Sequence, residues 1–176
     1  MAVKQILTVP NDFLRKKTEK VKTVDKNILN ITKDLIDTIK VAKEPEGAGL
    51  AATQIGYSKR ICAVRNFYRD PLNSNKIISE DIILINPKII SRSKETDIDW
   101  EGCLSVPNTY GKVERYEKIK VIAINSEGNE VKFRAAGFLA RTIQHEIDHL
   151  DGILFTDRVI GKTITEEEFD NLNYES

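Results

Sequence analysis

The chain has 176 residues, 40% hydrophobic and 31% charged, with 27 Lys+Arg against 27 Asp+Glu. That length supports one domain with a core of its own, and zero net charge excludes the basic footprint of a nucleic-acid binder. Two cysteines exclude a disulfide framework, and no run approaches the roughly 18 apolar residues of a membrane span.

The opening M-A-V-K-Q-I-L-T-V-P contains neither a signal-peptide core nor an arginine-rich leader, so the chain reads as cytoplasmic. Lysines crowd the first forty positions (from Lys4 to Lys40), but acidic residues interrupt them and they read as a solvated face. From Asp25 to Lys43, Ile28, Leu29, Thr32, Leu35, Ile36, Ile39 and Ala42 recur at helical spacing. Asp25 is the expected N-cap and Pro45 the stop. The run E-G-A-G-L-A-A-T-Q-I-G then fits the G-x-G-x-x-A of a dinucleotide fingerprint. Such a fingerprint needs a strand feeding its first glycine, whereas V-A-K-E-P-E precedes Gly47. No nucleotide cofactor is expected.

Further along, Arg60–Val64 reads as a short buried strand, with Cys62 a core thiol, and Asp81–Ile90 as another, which Pro87 assigns to an edge or a bulge. In W-E-G-C-L-S-V-P, Gly102 and Pro107 mark a tight turn of exposed backbone around Cys103. Lys118–Asn125 and Glu130–Ala135 flank the hairpin signal S-E-G-N, and Gly137–Leu150 is a second helix. A polar, acidic tail runs from about residue 162. The fold class predicted is α+β, mainly antiparallel strands around a central metal-binding helix with an N-terminal helix, with residues 1–176 one catalytic domain.

The only two histidines, His145 and His149, stand at i and i+4 on that second helix, where their rings share one face and one metal ion can bridge them. Glu146 lies about 100° round the helix, within reach of a metal-bound water. Leu139, Ile143, Ile147 and Leu150 form one stripe; Phe138, Thr142, His145 and His149 form a second; Gln144, Asp148 and Asp151 make the solvated arc. A helix apolar on two sides packs on the core and also faces a cavity. A hydrolytic metal keeps three protein ligands and an open position. No histidine follows His149, and Glu166, Glu167 and Glu168 lie in the tail, so Cys103 is the expected third ligand.

Three motifs in order, Gly47-Ala48-Gly49-Leu50-Ala51-Ala52-Thr53-Gln54, Glu101-Gly102-Cys103-Leu104-Ser105 and His145-Glu146-Ile147-Asp148-His149, make the sequence resemble the peptide deformylases over nearly its whole length. The resemblance implies a bacterial enzyme that removes the formyl group from the N-terminal formyl-methionine of nascent polypeptides, with transient ribosome contact and no nucleic-acid specificity. It implies a divalent ion on Cys103, His145 and His149, ferrous iron as the native one and zinc as an alternative. Metal-bound hydroxide would attack, with Glu146 as general base and then acid. Gln54 and the Leu104 N–H would stabilise the oxyanion, each worth about 3–4 kcal/mol of barrier. Gly49 would run beside the peptide, Phe138 and Thr142 would wall the methionine slot, and Arg141 borders its mouth. Tyr110 stands where many relatives carry arginine, and the acidic tail replaces a long basic C-terminal helix. The rivals are an HExxH zinc endopeptidase and a metal-holding protein without turnover.

Overall fold

The structure is a computed structural model that describes residues 3–42 and 47–174. Helix α1 (Lys26–Val41) starts where the Asp25 carboxylate accepts the Ile28 N–H at 2.9 Å. It buries Ile28, Ile31, Leu35 and Ile39, while Leu29 turns outward. It stops short of the expected Lys43, which with Pro45 lies outside the described residues. There follow strands β1 (Gly49–Ala51), β2 (Ile61–Asp70), β3 (Asn73–Arg92), β4 (Thr96–Cys103), β5 (Val106–Tyr116), β6 (Lys118–Ile124) and β7 (Glu130–Ala136). Helices α2 (Gly137–Leu150) and α3 (Glu166–Tyr174) complete the order. No helix among the described residues is long and apolar enough to cross a membrane.

Five strands form one antiparallel sheet in the order β1-β2-β3-β6-β7, and β4 and β5 pair separately. Alternation along β2 explains the two layers of helix. Cys62 and Val64 point to a core shared with Ile143, Ile147 and Leu150 of α2. Ile61 and Ala63 point the other way, to Ile28, Leu35 and Ile39 of α1. A strand covered on both faces has no polar alternation, which is why I-C-A-V reads as an unbroken apolar run. A third cluster, with Leu14, Cys103, Val113, Leu154 and Phe155, underlies the β4–β5 pair.

The α+β expectation holds, with corrections in detail. Strands β2 and β3 extend well beyond Arg60–Val64 and Asp81–Ile90, because backbone pairing continues past the point where apolar burial ends. Pro87 marks a bulge and not an edge: β3 is interior, and its ladder to β6 shifts between Ile85 and Lys88. Asn86 there adopts φ +54° and binds both backbone groups of Val21 at 2.8 Å. Strands β4 and β5 were not legible, since exposed T-D-I-D shows no apolar alternation. Of the arc Gln144, Asp148 and Asp151, only Asp151 is partly solvated. Gln144 and Asp148 are 6% and 7% exposed, and Asp151 pairs with Arg60 at 2.7 Å. Gln144 clamps the backbone of Tyr116 through its N–H and C=O, at 3.1 and 2.9 Å. Within the acidic tail, Glu166–Tyr174 form α3, whose first turn is closed by reciprocal Thr165 and Glu168 bonds.

Candidate active site

The face of α2 turned away from the large sheet meets the end of β4. His145 and His149 lie one turn apart and meet edge-on, with ring centroids separated by 4.9 Å and planes at 67°. Cys103 closes β4, and its Sγ lies 3.2 Å from His149 Nε2. One ligand atom from each of the three residues falls within 4.8 Å of the others. Leu104 and Ser105 form the turn expected there, but Cys103 is buried rather than exposed, because β5 folds back over it. The Ser105 N–H donates to the sulfur at 3.4 Å.

His145 is oriented from behind, whereas the buried Nδ1 of His149 has no partner. His145 Nδ1 meets a Glu101 oxygen at 3.0 Å, leaving Nε2 for the cluster. Glu101 accepts from Arg115 at 2.9 and 3.0 Å and from Arg141 at 2.9 Å. Arg115 also donates to Asp148, which holds Arg158. The sequence reading gave Glu101, Arg115 and Asp148 no role. The signal available for Glu101 was its place in Glu101-Gly102-Cys103-Leu104-Ser105, two residues before the cysteine. Arg141 does not close the mouth as a free cation. It is buried against Glu101, Asp97 and the Val113 carbonyl.

The electrostatics suit a cation. Burial would raise the Glu101 carboxyl, but its bonds to His145 and Arg115 hold it far below the usual range. Burial lowers both imidazoles. His149 stays well below its ordinary value, in the neutral form that ligates, whereas Cys103 and Glu101 reverse the effect on His145 and raise it. A divalent ion among these donors would take the place of the proton on His145. Cysteine with two imidazoles is a donor set for a borderline divalent ion. Glu146 is 3% exposed, one of its oxygens has no partner, and burial first, then Glu101 and Asp148, push its pKa up to about 7.

The other expected residues converge on the same cavity, of about 220 Å³, lined among others by Gly49, Gln54, Leu104, Phe138 and Thr142. Gln54 is no ordinary loop polar group. At 1% exposure its Oε1 accepts from the Ala51 N–H at 2.7 Å, and its Nε2 reaches Ser105 Oγ at 3.1 Å and Cys103 Sγ at 3.6 Å. Thr142 is buried, donating to the Phe138 carbonyl, while Phe138 is 58% exposed and tilts against Phe67. Gly49 leaves room for the Glu146 side chain. A Cβ on it would sit 2.7 Å from Glu146 Cδ.

A family model described as polypeptide deformylase matches residues 3–164. Peptide deformylase 1 of Bacillus subtilis is 43% identical over 171 residues, 96% of each chain. Peptide deformylase 2 of Clostridium acetobutylicum is 42% identical over 160 residues, 90% of this chain and 97% of the relative. A crystal structure of the Acinetobacter baumannii class I type b peptide deformylase with Met-Ala-Ser bound superposes with a TM-score of 0.78 at 32% identity, covering 90% of this chain and 99% of that one. The Thermotoga maritima peptide deformylase gives 0.76 at 32% identity, covering 92% and 100%. The chain therefore belongs to the polypeptide deformylase family of enzymes.

Proposed function

We propose that this protein hydrolyses the formyl group from the N-terminal formyl-methionine of newly made polypeptides in the bacterial cytoplasm, meeting them by transient contact with the ribosome, and that residues 1–176 act as one catalytic domain. The observation that carries the reading is a buried Glu146 carboxylate with an unpartnered oxygen beside Cys103, His145 and His149. Those three residues would hold one divalent ion, ferrous iron natively and zinc as an alternative. Such an ion, when bound, brings the pKa of water towards neutrality and polarises a carbonyl.

The chain's own groups account for the rest. Glu146 takes the proton of the attacking water and returns it to the departing amine nitrogen. As charge grows on the formyl oxygen, the Gln54 Nε2–H and the Leu104 N–H donate to it, and the Ala51 bond to Gln54 Oε1 keeps that amide from flipping. Strand β1 is an edge strand, so its outer backbone groups at Gly49 can pair with an extended peptide. Thr142 and Phe138, which line the cavity, would wall the methionine slot.

The reading is tested by anaerobic purification, metal analysis and a formate assay on formyl-Met-Ala-Ser. Formate release with about one ion per chain is expected, and no release from an iron-loaded sample would overturn it. A narrower prediction concerns Gly49→Ala. Its methyl displaces the end of a flexible glutamate, so the melting temperature should barely change. A shift of about 1 Å in the proton-transferring group should nonetheless cost roughly a hundredfold in kcat.

A further inference from the structure

The rim of the cavity is built by an element that the motifs do not include. Trp100 of β4 and Tyr110 of β5 both line the cavity and are half-buried, while Cys103, Thr142 and Glu146 lie buried at its depth. Tyr110 packs over Gly102, where a Cβ would come within 2.8 Å of its ring. Phe169 of α3 stacks on Tyr110 with centroids 4.3 Å apart and planes 3° from parallel. The same ring meets Trp100 edge-on at 5.6 Å and 72°. One side chain of the C-terminal helix thus holds both rim aromatics.

The backbone ties α3 to the same place. Tyr110 and Ile164 exchange both their hydrogen bonds, at 2.9 and 2.8 Å, and the Glu166 N–H donates to Asn108 Oδ1 at 2.9 Å. The rim is apolar with a charged fringe. Lys112 Nζ sits 5.3 Å from the Trp100 centroid, and burial, then Glu166 and Asp170, hold the Tyr110 phenol above its ordinary range.

We propose that α3 is a specificity element, in which Phe169 acts as a positioning residue that holds Tyr110 and Trp100 as an apolar platform under the peptide residues after formyl-methionine. The inference rests on the deformylase reading and deepens it by naming the substrate class: formylated peptides with an apolar side chain after methionine, in preference to an acidic one facing Glu166 and Asp170. The depth of the cavity serves the methionine and the formyl group, so α3 bears only on the second and later residues of the peptide.

The test compares formyl-methionine, formyl-Met-Leu-Ser and formyl-Met-Glu-Ser on the metal-loaded enzyme. Wild type should favour the leucine peptide. Phe169→Ala should raise KM for formyl-Met-Leu-Ser by about two- to tenfold, the scale of one aromatic pair, with kcat nearly unchanged. It should leave formyl-methionine unaffected, and Phe169→Tyr should behave as wild type. Trp100 is the only tryptophan, so its emission should respond to the product Met-Leu-Ser in wild type and lose that response in Phe169→Ala. An unchanged KM for the leucine peptide, or an equal shift on formyl-methionine, overturns the inference while leaving the deformylase reading intact. A wild type silent on all three substrates removes that reading, and the inference with it.

Discussion

Replacing Glu146 by alanine should leave a folded protein that retains its metal and releases formate about 10²–10⁴-fold more slowly, the range expected for loss of a general acid–base group. The carboxylate is not needed to hold the ion, since Cys103, His145 and His149 supply the three clustered donors. Nor should its removal unfold the chain. A buried carboxylate with an unpartnered oxygen opposes folding, so the melting temperature of the variant should equal or exceed that of wild type. Metal analysis, thermal melting and the formate assay on one preparation separate these effects. A variant as active as wild type would support a metal-holding protein without turnover and remove Glu146 from the mechanism.

Cys103→Ala should abolish both metal retention and activity. With the sulfur gone, two imidazoles on one helix remain, and affinity should fall by more than the roughly 10–100-fold that loss of an outer partner costs. Cys62→Ala is the matched control. Cys62 is fully buried in the core beneath α2, and burial raises its thiol far above the ordinary value, so it is inert towards metal. Metal content after dialysis, measured for both variants, is the deciding quantity. An HExxH endopeptidase would keep its ion and cleave internal peptide bonds without Cys103, and such an outcome would exclude the proposed ligand set.

The parts of the molecule that sequence made legible are those with strong local periodicity. The Asp25 cap, the α1 stripe, the S-E-G-N hairpin and the two faces of α2 are each set by neighbours a few residues away. The Cys103, His145 and His149 cluster was readable because histidine is confined to one helix face and cysteine offers few choices. What stayed hidden depends on contacts distant in sequence. Gln144 and Asp148 look like solvent-facing residues until Tyr116, Arg115 and Arg158 arrive from other elements to satisfy them. Helix α3 has little apolar surface of its own and is held by Phe169 against Trp100 and Tyr110. Gly49 suggested close approach of backbone to a ligand, whereas its nearest constraint is the carboxylate of Glu146.

The strand order carries a consequence for biosynthesis. All five strands of the large sheet precede α2 in the chain, yet one face of β2 packs against that helix. As the polypeptide is made, Cys62 and Val64 therefore lack this part of their cover until residues 137–150 have been added. This late-made helix both covers that apolar face and carries His145 and His149, so closing the core and assembling the site depend on one element.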